Sequence, residues 1–305
     1  MSDRYRQAGT MSLDTSATPE SRRTDGRFLV RVLRAGWFQI FVSGLVLFYL
    51  IDKTMVSTRN PNFIPSLILV GAFLVPVTLV SYLGGRAQGD PLPLSTVAVC
   101  FLWGGASGVI IAGILEYRTL RDLGPLTLLG VGVIEESAKL LVPLILYIRG
   151  RYRSEMSGIT FGVAAGMGFA ALETMGYAFV AFIQSGGNIG TLEETLLVRG
   201  LLSPAGHAAW TGLICATLWR ERARLGRPVI NRAVVGAFAL AVVLHALWDM
   251  FNSLRGPTFV DWLGVELISL GIAIISLTLL IRRVREAEQR SAPLVEAETP
   301  PSPAS

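Results

Sequence analysis

The side chains able to do chemistry in this chain are Glu135, Glu136, Lys139, Glu173, His207, His245 and Asp249, and all of them stand inside apolar runs. Residues 131–142, Val-Gly-Val-Ile-Glu-Glu-Ser-Ala-Lys-Leu-Leu-Val, place two adjacent carboxylates and an amine in an otherwise largely apolar run of about 24 residues, long enough to cross a bilayer as a helix. An ionisable side chain near the bilayer centre costs several kcal/mol, so three of them within five positions need partners or a wet cavity. Lys139 is i+4 from Glu135 and i+3 from Glu136, which lets one ammonium reach either carboxylate. The two glutamates nevertheless point about 100° apart, so one can pair with the lysine while the other faces a neighbouring helix or a water.

The chain has 2 histidines, and both fall within apolar runs. His245 and Asp249 are one helical turn apart on one face, a spacing that suits two ligands on one metal or a carboxylate orienting an imidazole. With His207, His245, Asp249 and Glu173 as candidate ligands, the set holds enough nitrogen and oxygen donors for a three-ligand catalytic zinc and leaves a glutamate as general base. Without a metal, one glutamate could deprotonate a water while the histidines donate to a developing oxyanion. Intramembrane Glu, His and Asp also build the proton relays of transporters, and that class stays open at this point.

The elements that must position these groups are membrane helices. A composition of 51% hydrophobic and 16% charged residues, with mean hydropathy +0.53 and 32 glycines in 305 residues, describes a polytopic membrane protein rather than a soluble domain. Apolar runs at about 35–51, 63–83, 92–115, 124–147, 157–183, 196–219, 233–251 and 262–281 predict an all-α bundle of about eight transmembrane helices. Segment 1–34 reads as a disordered tail, 35–281 as the membrane domain, and 282–305 as a basic and then disordered tail. Most of the 27 lysines and arginines lie on one side of this layout, the side that also receives both termini, which places both ends in the cytoplasm. That bias accounts for the net charge of +5 without any nucleic-acid partner. The same orientation puts the polar groups between the middle and the outer half of the bilayer.

Four motifs on successive runs carry a resemblance. Glu135-Glu136-Ser137-Ala138-Lys139, Gly168-Phe169-Ala170-Ala171-Leu172-Glu173 with Tyr177, Ser203-Pro204-Ala205-Gly206-His207 and His245-Ala246-Leu247-Trp248-Asp249 resemble, in order and spacing, the motifs of the PrsW-like intramembrane protease family, relatives of the CAAX prenyl-protease and bacteriocin-processing proteins. The resemblance implies a multi-pass protease of a bacterial cytoplasmic membrane, usually classed as a metallopeptidase. It also implies a membrane-anchored protein substrate such as an anti-sigma factor. By motif, Glu135 and Glu136 match the glutamate pair, Lys139 its basic partner, Glu173 the acidic residue of the second motif, and His207, His245 and Asp249 the later positions. Thr174 departs from the asparagine common after that glutamate.

Other polar or small residues have structural readings. Cys100 and Cys215 show no metal-type spacing and read as small packing residues. Trp103, Trp210 and Trp248 read as packing or interfacial anchors, and Arg199 as a topology or surface charge. Gly158, Gly162 and Gly166 form a small-residue stripe that permits close helix approach. Pro143 and Pro204 are expected to kink their helices beside the polar residues.

Overall fold

The computed structural model describes residues 32–86, 92–119, 127–254 and 259–291, so most of the two predicted tails lies outside the described residues. Within them every regular element is helical. Helix α1 is Gly36–Thr58 and α2 is Ile64–Gly84. Helix α3 runs through Leu94–Val99, Cys100–Gly104 and Gly105–Thr119, its middle segment being a π-helical turn. Then come α4, Thr127–Lys139; α5, Leu141–Arg149; α6, Glu155–Gln184; α7, Ile189–Leu202; α8, His207–Leu225; α9, Arg232–Ser253; and α10, Phe259–Ser291.

Six of these helices, α1, α2, α3, α6, α9 and α10, are long and apolar enough to cross a membrane. Their outward faces keep large apolar side chains such as Leu45, Tyr49, Ile110, Leu267 and Ile274 exposed, the pattern of surfaces solvated by lipid rather than water. The other two predicted runs are helical but broken. Run 124–147 is interrupted at Leu140, between α4 and α5, because Pro143 has no N–H to offer the Lys139 carbonyl and its ring crowds that oxygen. Run 196–219 is interrupted by the 3-10 turn Ser203–Ala205, which contains Pro204 and separates α7 from α8. Both breaks adjoin the polar residues: Lys139 ends α4 and His207 begins α8.

Helix α6 is the axis of the bundle, buried almost without interruption from Glu155 to Ala171. Ser154 caps its start, the hydroxyl accepting from the Ser157 amide at 3.1 Å. Its glycine stripe lies along α8. A Cβ on Gly158 would stand 2.5 Å from the Trp219 indole, one on Gly162 would stand 2.7 Å from both Cys215 Cβ and the Thr211 carbonyl, and one on Gly166 would collide with the His207 carbonyl. Only glycine lets the two backbones come this close, and the helix contact the stripe predicts is therefore present. Trp210 and Trp219 fill the spaces beside it, donating to Ser276 Oγ at 3.0 Å and to the Tyr152 carbonyl at 2.9 Å. Cys100 and Cys215 are buried in this core.

Helix α9 starts at an Asn231 cap whose side chain accepts from Ala233 and Val234 and donates to Glu221 at the end of α8. Gly132 of α4 lies against α9, where a Cβ would meet the Val242 carbonyl at 3.0 Å and His245 Cβ at 3.6 Å. This contact carries His245 to the glutamate pair. At the opposite end, Arg222 donates to the Tyr147 carbonyl at 2.6 Å, and Arg290 of α10 pairs with Glu155 at 2.9 Å.

Candidate active site

The last turn of α4 builds the centre. Lys139 Nζ donates to Glu135 Oε2 at 3.0 Å and to Glu136 Oε1 at 2.9 Å, so one ammonium holds both carboxylates. Lys139 and Glu136 are fully buried, and the ammonium also lies 4.1 Å above the Phe169 ring of α6. The two glutamates have different surroundings. Glu136 uses both oxygens inside the protein, Oε1 on Lys139 and His245 and Oε2 on the Thr211 hydroxyl at 3.0 Å. Glu135 borders the cavity described below.

Hydrogen bonds fix the roles of the two His207 nitrogens. An ammonium can only donate, so the 2.8 Å contact from Lys139 Nζ makes His207 Nδ1 an acceptor. The proton then belongs on Nε2, which donates to Glu173 Oε2 at 2.9 Å. Glu173 is held from its other side by Arg199 at 2.7 Å, and the guanidinium in turn covers the Tyr177 ring at 4.0 Å. His245 turns both ring nitrogens to carboxylates: Nδ1 donates to Glu136 Oε1 at 3.1 Å, and Nε2 faces Glu135 Oε2 at 3.4 Å and Asp249 Oδ2 at 3.5 Å. The ring is clamped flat against Trp210, with centroids 4.6 Å apart, and lies edge-on to His207 at 5.4 Å.

A cavity of about 780 Å³ opens in front of this cluster. Glu135, Glu173, His207 and Asp249 reach its wall, whereas Glu136, Lys139 and His245 stand behind it. The seven side chains singled out from the sequence thus come together from α4, α6, α8 and α9. They form one network with two layers, a buried one that orients and a lining one that can meet a water or a substrate.

The donors suit a divalent cation. Ligand atoms of Glu135, His207 and His245 lie within 4.8 Å of one another, two imidazoles and a carboxylate, the composition of many three-ligand zinc sites. His245 Nε2 and Glu135 Oε2 already face each other at 3.4 Å, and His207 joins by releasing one of its two hydrogen bonds. Four carboxylates, Glu135, Glu136, Glu173 and Asp249, stand against the cations Lys139 and Arg199, which leaves the excess negative charge that a divalent ion balances. The grouping differs from the expected ligand set: Glu135 is within it, while Glu173 and Asp249 contact the histidines from outside it.

Three contributors escape the sequence reading. Arg199, read as a topology or surface charge, holds Glu173. Thr211 binds the buried oxygen of Glu136, and its position one turn after His207 was the only sequence signal for it. Glu116 of α3 lines the cavity, although the predicted span stops one residue before it. Asn is replaced at Thr174, and this residue also lines the cavity.

No curated protein and no solved structure matches the chain. The family model described as PrsW family intramembrane metalloprotease matches residues 92–280, the segment from α3 to α10 that contains every residue of the cluster. With its glutamate pair, lysine, histidines and aspartate joined in one network, the chain belongs to the PrsW family of intramembrane metalloproteases.

Proposed function

We propose that this protein is an endopeptidase that cuts a membrane-anchored protein, an anti-sigma factor or a protein of that kind, near the outer side of a bacterial cytoplasmic membrane. The observation that carries the reading is the two-layered cluster at the wall of a polar cavity, since a hydrolase must present carboxylate and imidazole to a water inside the bilayer. Eight spans with both termini in the cytoplasm complete the layout. The broken runs α4–α5 and α7–α8 count as the two spans beyond the six uninterrupted ones. The arginines at the α5, α8 and α10 ends lie on the cytoplasmic side, and the cavity therefore opens outward.

Glu135, His207 and His245 would hold the ion, which we assign as zinc from its two imidazoles and one carboxylate; once bound, it would acidify a water and polarise the scissile carbonyl. The remaining chemistry belongs to the chain. Of the glutamate pair only Glu135 lines the cavity, so the contact with the attacking water, as ligand or as proton acceptor, falls to it. Glu136 acts through His245: its carboxylate holds the Nδ1 proton and aims Nε2 toward Glu135. Lys139 holds both carboxylates in place in an apolar surround and fixes His207. Glu173, steadied by Arg199, completes the clamp on His207, and Asp249 stands beside His245 Nε2 to take or return a proton at the cavity wall.

The test compares membrane-protein fragments in cells carrying the wild-type chain, Glu135→Gln or Glu136→Gln, with new termini mapped by mass spectrometry. The expected result is a membrane protein that stays intact in the mutants and loses its extracytoplasmic fragment. Identical fragments from stably expressed variants under inducing conditions would move the reading to a transporter or an inactive scaffold. Metal content of the purified chain is read separately: one zinc per wild-type chain is expected, with its loss in His245→Ala.

A further inference from the structure

The cavity wall carries more than the catalytic cluster needs. Among the described residues, the buried side-chain polar atoms without a hydrogen-bond partner are Glu116 Oε1, Glu155 Oε1, Arg199 Nε and Ser269 Oγ. Three of these four, on Glu116, Arg199 and Ser269, belong to residues lining this one cavity. Ser269 of α10 is only 4% exposed, so its hydroxyl is desolvated with nothing among the described residues to satisfy it. Leaving a buried polar group unpaired costs stability, and such atoms converging on one cavity mark a surface shaped for a polar guest.

Charge says what kind of guest. The lining acids are Glu116, Glu135, Glu173, Glu194, Asp249 and Glu266, and the lining cation is Arg199, which is already paired with Glu173. A divalent ion at the cluster leaves the wall negative. The acids outside the cluster include Glu116 on α3 and Glu194 on α7, so the negative charge is not confined to one helix.

We propose that the cavity selects a substrate segment carrying a lysine or arginine side chain, received by Glu116, while Ser269 Oγ and Arg199 Nε donate to carbonyl oxygens of the substrate backbone. This deepens the protease reading and rests on it. Glu116 and Ser269 are substrate-positioning residues on α3 and α10. A cationic side chain satisfies the Glu116 oxygen by a charge-assisted hydrogen bond, which a neutral side chain cannot match.

The test uses the full chain in lipid nanodiscs and four fluorescent single-span reporter peptides. They differ at one position beside the outer end of the span, with Lys, Arg, Gln or Glu. Binding is followed by anisotropy and cleavage by gel. The Lys and Arg reporters are expected to bind about tenfold more tightly than the Gln reporter, the worth of one charge-assisted hydrogen bond. Glu116→Gln should erase that preference, Glu116→Lys should turn it toward the Glu reporter, and Ser269→Ala should weaken all four reporters about equally. Equal binding of Lys and Gln reporters to the wild type overturns the inference and leaves a cavity that serves water alone. A preference that survives Glu116→Gln, or no binding by any reporter, overturns it as well. Charge-selective binding without cleavage of any reporter sinks the protease reading while the assignment of the cavity stands, and cleavage without charge preference does the reverse.

Discussion

Helices α6 and α8 run side by side, yet the two ends of their contact are built on opposite principles. Toward the start of α6, Gly158, Gly162 and Gly166 bring the backbones into direct contact with Trp219, Cys215 and the His207 carbonyl, and the seam is closed. About two turns beyond Gly166, Glu173 meets His207 at the start of α8, and both border a cavity of about 780 Å³. The closed end fixes the registry of the two helices, because glycine-to-backbone contact tolerates no sliding. The open end spends that rigidity on chemistry: a 2.9 Å contact between Glu173 and His207 holds only if their helices cannot shift. Packing and catalysis are thus divided along one helix pair instead of competing for the same residues.

The comparison breaks apart most clearly if the two ends are altered separately. Glu135→Gln, at the open end, is expected to lower cleavage by about 100-fold or more, the range for loss of a general acid-base group, with little change in the melting temperature of the detergent-solubilised chain. Removal of the buried cation should act on stability as well as on cleavage. Lys139→Met leaves Glu135 and Glu136 without their ammonium and should destabilise the protein by about 3–5 kcal/mol, read as a lower unfolding midpoint. Next comes Gly162→Val at the closed end, where a side chain meets Cys215 and the Thr211 carbonyl; overpacking there should cost about 1–3 kcal/mol. Its activity should fall in step with its stability, because Thr211 and His207 shift together, and a variant that melts earlier at full activity would show that the seam does not position the site. The smallest effect is expected for Thr211→Val, which removes one hydrogen bond to Glu136 and should cost about 1 kcal/mol, seen in equilibrium unfolding.

The candidate site was legible to the extent that its members are expensive in an apolar run. Glu135, Glu136, Lys139, His207 and His245 announce themselves because a membrane helix carries such groups only where partners await them. Arg199 did not, since an arginine near a span end satisfies the charge bias of loops equally well, and only the approach of α7 to α6 shows that it holds Glu173. Glu116 was similarly hidden at the end of a span, where a carboxylate reaches water at little cost. The difference between the two neighbouring glutamates was invisible for another reason. Residues 135 and 136 point about 100° apart whatever surrounds them, and which direction meets the cavity depends on where α8 and α9 lie.

Composition and periodicity alone determined that this chain is a helical membrane protein, that its polar groups gather on four of its apolar runs, and that prolines interrupt two of those runs beside them. These are consequences of local chemistry: hydrocarbon solvates apolar helices, and Pro143 and Pro204 remove backbone donors wherever they stand. Tertiary structure decided which nitrogen of His207 carries the proton, that Glu135 rather than Glu136 lines the cavity, and that Glu116, Arg199 and Ser269 line it too. Those outcomes rest on contacts between residues as far apart as 109 positions, such as His245 with Glu136, and no local pattern encodes the distance between two helices that meet only in the folded bundle.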